Sequence, residues 1–118
     1  MKVLVIGAST NPARTSNQAI HMLRSYGHDL VAIGSKPGTV NDVSIIDTQP
    51  VMDDIDTITL YVNPKILASY IKYIIALKPR RVIFNPGTKD HDLMHLIAKE
   101  GIQVEEACTL VMLRTNQF

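Results

Sequence analysis

Lys2-Val3-Leu4-Val5-Ile6-Gly7-Ala8-Ser9-Thr10-Asn11-Pro12-Ala13-Arg14-Thr15-Ser16 is the stretch on which the reading of this chain turns. Its first five residues form a short apolar run of the kind a buried parallel strand needs. Small residues follow, and a helical pattern starts straight after them. Strand, small-residue turn and helix together let backbone N–H groups and a helix N-terminus hold a phosphate. Residues without bulk are needed there because the ligand must approach the main chain closely. The loop reads Gly-x-Ser-x-x-Pro, not the Gly-x-Gly-x-x-Gly of dinucleotide enzymes. A phosphorylated cofactor is expected, held differently from NAD in its usual site.

Outward from this stretch, strand and helix patterns alternate. A helix is predicted over 16–26, with Ala19, Ile20, Leu23 and Tyr26 on one face, capped by Thr15 or Ser16 and stopped by Gly27. Strand patterns follow at 28–33 and at 57–62. Between them, Val43–Ile46 suits a short edge strand and 50–54 a helical turn. Asn63-Pro64 opens a second helix carrying Leu67, Tyr70, Ile71 and Ile74, since proline fits a first turn. Arg81–Phe84 is the next strand. A helix over 90–100 turns Leu93, Leu96 and Ile97 inward, and 102–105 is the last clear strand. The tail, 107–118, is apolar through Leu113 and is expected to pack on the body.

This alternation specifies one α/β domain over 1–118: a Rossmann-like, doubly wound, mainly parallel sheet with helices on both faces. Right-handed crossovers put every parallel strand's C-terminal end on one edge, where ligands bind at the reversal of strand order. The loops at that edge are 7–16, 34–38, 63–65 and 85–89. Each contains Gly or Pro beside hydroxyl, amide or basic residues.

Composition narrows the classes. The 118 residues are 46% hydrophobic, enough for a packed core, and the net charge of +1 argues against a nucleic-acid surface. No apolar stretch reaches membrane-spanning length. Met1-Lys2 leads into the first strand without a signal peptide pattern, and one cysteine forms no internal disulfide. A small cytoplasmic protein is expected, with no nucleic-acid or membrane partner.

The end of the second strand discriminates among ligands. NAD enzymes place Asp or Glu there to accept from the ribose diol. This chain has Gly34-Ser35-Lys36 instead. A lysine and a serine suit a ribose phosphate, as in NADP at the 2′ position or coenzyme A at the 3′ position.

Gly7-Ala8-Ser9-x-x-Pro12-x-Arg14-x-Ser16, Gly34-Ser35-Lys36-Pro37-Gly38 and Leu60-Tyr61-Val62-Asn63-Pro64, in that order, resemble the stand-alone CoA-binding domain family. That family is similar to the N-terminal nucleotide-binding domain of the succinyl-CoA synthetase α subunit. The resemblance implies binding of coenzyme A or a short acyl-CoA. It implies main-chain donors and close packing from Gly7, Ala8 and Ser9 at the phosphates, with Arg14 and Ser16 on the same pyrophosphate. Lys36, after Gly34 and Ser35, would lie near the adenosine 3′-phosphate. Asn63 and Pro64 would border the nucleotide, and Pro86 and Gly87 would line the pantetheine side. The chain departs from the commoner family pattern at Gly34-Ser35, where Asn-Pro is usual, and at Ala107-Cys108-Thr109-Leu110, where Arg-Cys-Pro-Lys is frequent. No counterpart of the synthetase's phosphohistidine domain is expected within these 118 residues, so ligase activity does not follow from the resemblance.

The remaining candidates favour a binding module over an enzyme. His91 and His95 have zinc-compatible spacing but no third ligand, and read as a solvated helix face. Asp53, Asp54 and Asp56 read as a solvated turn, and Cys108 as a core cysteine near the ligand edge. The competing class is an NADP-dependent oxidoreductase or NAD(P)-binding regulator. Its Tyr–Lys pair would have to be Tyr61-x-x-x-Lys65, which straddles a strand end. A third class is a structural or regulatory protein that binds no nucleotide.

Overall fold

Strands and helices alternate along the whole chain, and the computed structural model describes residues Met1–Phe118. In order they are β1 (Lys2–Ile6), α1 (Thr15–Ser25), β2 (Asp29–Ile33), β3 (Gly38–Val40), β4 (Val43–Ile46), β5 (Thr57–Leu60), α2 (Pro64–Leu67), α3 (Ile71–Leu77), β6 (Arg81–Phe84), α4 (His91–Ala98), β7 (Gln103–Glu106) and α5 (Thr109–Arg114). The strands form one sheet in the order β3-β4-β2-β1-β5-β6-β7. Every pairing is parallel except β3 with β4. The chain winds outward from β1 through β2 to β4, then returns to β5 on the other side of β1. Strand order therefore reverses at β1, and the crevice beyond its C-terminal end is the expected ligand position. This is the α/β Rossmann-like fold that the alternation specifies.

Two cores lie on the two faces, and β1 feeds both. Leu4 and Ile6 pack with Leu67, Ile71, Ile74 and Ile97, under α2, α3 and α4. Val3 and Val5 pack with Ile20, Leu23 and Leu113, under α1 and α5. Val3, Leu4, Val5 and Ile6 are fully buried, and each such burial contributes about 1.5–3 kcal/mol. A near-continuous apolar run is what burial on both faces requires.

Several elements differ from the sequence reading for physical reasons. Helix α1 starts at Thr15 with Arg14 at the N-cap and no side-chain cap, so neither Thr15 nor Ser16 caps it. Tyr26 is at the C-cap and exposed, not on the buried face. The second helix is broken by a 3₁₀ turn over Ala68–Tyr70. There the Ser69 hydroxyl donates to the Ile66 carbonyl at 2.6 Å, a local bond that competes with regular helix. In α4 it is Met94, with Leu93 and Ile97, that packs on the core, while Leu96 is exposed. Val43–Ile46 is not the edge: β3 pairs outside it through a tight turn in which Asn41 has φ 56°. Residues 50–54 contain no helical turn. The last strand is Gln103–Glu106, one residue later than read, and the tail forms α5.

The strand-start edge, far from the crevice, holds a buried cation. Arg81 Nε donates to Thr57 Oγ1 at 3.0 Å, and the guanidinium lies 4.6 Å from the Phe118 ring centroid. The His28 ring packs on Phe118 at 5.2 Å. No helix is long and apolar enough to cross a membrane.

Candidate functional site

The loop after β1 is set by short polar side chains. Asn11 N–H donates to Ser9 Oγ at 3.1 Å, and Ala13 N–H donates to Asn11 Oδ1 at 3.0 Å. Asn17, buried in the first turn of α1, donates from Nδ2 to the Ser9 carbonyl at 3.0 Å. Such side-chain turns fix a loop without regular structure. Gly7 has φ +95°, and a Cβ there would lie 2.8 Å from the Tyr61 carbonyl carbon, so any side chain is excluded.

The amides of this loop divide into two groups. Gly7 N–H and Ala8 N–H both donate to the Ile33 carbonyl, at 2.8 and 3.0 Å. These two residues therefore offer close approach rather than the main-chain donors expected of them. The amides of Ser9, Thr10, Thr15 and Ser16 donate to no acceptor within the protein. Those of Thr15 and Ser16 open α1, where free amides suit an anion.

The four predicted loops converge. They line one cleft of about 650 Å³, a size typical of small-molecule sites, about 300–1,000 Å³. Gly7, Ala8, Ser9, Arg14, Ser16, Gly34, Ser35, Lys36, Asn63, Pro86 and Gly87 all line it. Pro64 does not: it opens α2 behind Asn63, whose Oδ1 caps the helix by accepting from Ile66 N–H at 2.9 Å. Thr10, Thr15, Tyr61, Val62, Ile66, Tyr70 and Thr88 also line the cleft and were missed. Thr10 and Thr15 lie inside the quoted loop. The apolar Ile66 and Tyr70 carry no sequence signal that separates them from core residues.

Electrostatics favour an anion. Arg14 and Lys36 are exposed in the cleft, and neither forms an ion pair. No Asp or Glu lines it. Two cations in a cleft with no opposing charge concentrate anionic ligands.

A model of a CoA-binding domain family matches residues 1–114. The chain belongs to this family. A crystal structure of an uncharacterised protein, 42% identical, superposes with a TM-score of 0.96 over 99% of this chain and 97% of that one. A hypothetical protein from Pyrococcus horikoshii is 21% identical, with a TM-score of 0.87 over 96% of this chain and 81% of its own. A Thermus thermophilus protein is 18% identical, with a TM-score of 0.86 over 99% of this chain and 90% of its own. The last two show the fold alone. No curated protein matches the chain.

In this CoA-binding domain the other candidates lie outside the cleft. Asp56 pairs with Arg80 at 3.0 Å and Asp54 with Lys2 at 3.0 Å, both away from the ligand edge. His91 and His95 are exposed on α4. Cys108 is half-buried at the N-cap of α5 and does not line the cleft. Tyr61 is among the lining residues, but its side chain packs on the core around Val3 and Val5, and its hydroxyl is buried and faces Thr59 and Thr109 without a well-formed bond to either. Burial pushes that phenol up to about 12, so it stays protonated at neutral pH.

Proposed function

We propose that this domain binds coenzyme A or a short acyl-CoA in the cleft at the β1 switch point, and acts as a binding module in the cytoplasm rather than as an enzyme. The observation that carries the reading is the pairing of Arg14 and Lys36 in a cleft with no carboxylate. The ribose-binding acid of NAD sites is missing from the end of β2, and Ser35-Lys36 stands in its place. Four unpaired amides beside Arg14 suit a pyrophosphate. Lys36, on the neighbouring loop, suits the separate 3′-phosphate. Val62, Ile66 and the turn at Pro86 and Gly87 give the pantetheine arm an apolar and backbone wall. Membership of a CoA-binding family supports the same choice.

Native mass spectrometry of the purified protein is the direct test. A retained mass of CoA or an acyl-CoA is expected, and it would name the acyl group at once. Retention or thermal stabilisation by NADP, with none by CoA, would move the protein to the oxidoreductase class.

A further inference from the structure

The buried polar network behind the cleft has a role that the ligand contacts alone do not reveal. Asn85 follows β6 and is 1% exposed. Its Nδ2 donates to Thr59 Oγ1 at 2.6 Å and to the Leu60 carbonyl at 2.9 Å, and its Oδ1 accepts from Thr109 N–H at 2.8 Å. Thr59 and Thr109, both fully buried, are joined through their hydroxyls at 2.8 Å. One amide side chain thus ties together the ends of β5 and β6 and the start of α5.

The main chain of the same residue shapes the cleft. The Asn85 carbonyl accepts from Thr88 N–H at 3.1 Å and from Thr88 Oγ1 at 2.7 Å. This closes the turn Asn85-Pro86-Gly87-Thr88, with proline second and Gly87 third at φ +90°, the arrangement of a type II turn. Pro86, Gly87 and Thr88 all line the cleft. Their position relative to the first loop is therefore referred to β5 and α5 through Asn85.

We infer that Asn85 is a positioning residue that sets the pantetheine wall of the cleft without touching the nucleotide phosphates. This rests on the CoA reading above. A buried amide with both donors and its oxygen engaged inside the protein is held in one geometry, and a half-satisfied one loses it. The phosphate side is held independently, by Asn17, Asn11 and Ile33. Disturbing Asn85 should therefore separate the two halves of the ligand.

The test compares CoA with adenosine 3′-phosphate 5′-diphosphate, which keeps every phosphate and lacks pantetheine. Titration calorimetry of Asn85→Ala and Thr59→Val should show CoA affinity lowered roughly five- to tenfold, the scale of one buried hydrogen bond. Affinity for the nucleotide fragment should stay within about twofold on the same scale. Thr59→Ser, which restores the acceptor for Asn85, should recover CoA binding. Thr59→Val, which removes that acceptor alone, keeps the test available where Asn85→Ala does not fold. Equal losses for both ligands, or none in a folded variant, would overturn the role. Wild-type protein that binds neither ligand would instead remove the CoA reading itself.

Discussion

A methyl group placed on Gly34 would lie 2.3 Å from the Ala8 carbonyl oxygen. The loops after β1 and β2 are thus in backbone contact, and this contact brings Lys36 to the same cleft as Arg14. The obstructing atom is main chain, so no rotamer change relieves it.

Gly34→Ala should therefore destabilise the fold by about 1–3 kcal/mol, as overpacking does, and should also weaken CoA. Urea denaturation at an unchanged slope gives the first quantity, and titration of the folded fraction gives the second. A variant with wild-type stability and affinity would show that the two loops need not touch.

Much of this arrangement was legible in the sequence. The run Val3–Ile6, apolar at every position and followed by a small-residue turn, suited a strand covered on both faces. The Gly and Pro punctuation placed Gly7, Gly34, Asn63 and Gly87 at one edge once strands were taken as parallel. The donor roles of Gly7 and Ala8 were not legible, because they depend on register. With Ile6 beside Ile33, the Ile33 carbonyl falls within reach of both amides. Pro64 opens α2 as the sequence implies, but the cleft lining stops at Asn63, whose side chain caps that helix. Thr88 became part of the wall only through its bonds to Asn85, a local turn whose direction is set by tertiary partners 24 to 26 residues away.

Arg14→Ala should lower CoA affinity roughly tenfold, since a charge-assisted phosphate contact is among the stronger hydrogen bonds. Pantetheine, which carries no phosphate, should be bound as by the wild type. Competition calorimetry with the two ligands checks this. The loss should also shrink as ionic strength rises, because Arg14 is exposed and screened. Parallel losses for both ligands would point to a damaged fold.

Lys36→Ala should erase much of the preference for CoA over dephospho-CoA. These ligands differ only in the 3′-phosphate, so the ratio of their dissociation constants isolates one contact. Retention of the full wild-type ratio would assign that phosphate to another residue.

Acid should loosen the far edge of the sheet, where His28 lies. His28 is held below its ordinary 6.5, first by burial and then by the positive charges of the Met1 amino group and Arg81, against a bond with the Met1 backbone. The unfolded chain therefore takes up this proton more readily than the folded one. Stability from this group is complete above about pH 6.5 and declines as the pH falls below it. Denaturation midpoints at pH 7.5 and 5.5 should differ more for wild type than for His28→Gln. An identical pH dependence in the variant would assign the effect to other groups.

The unpaired amides of Ser9, Thr10, Thr15 and Ser16 also bear on how this protein behaves in ordinary laboratory solutions. A row of fixed donors beside Arg14 does not distinguish the pyrophosphate of a cofactor from any other oxyanion of similar size. Phosphate or sulfate buffers should act as competitors and raise the apparent dissociation constant of CoA in proportion to their concentration. Affinities from different buffers would then disagree without any change in the protein. Extrapolation to zero oxyanion would give a value intrinsic to the cofactor, and the slope would report how strongly the first loop alone holds a phosphate.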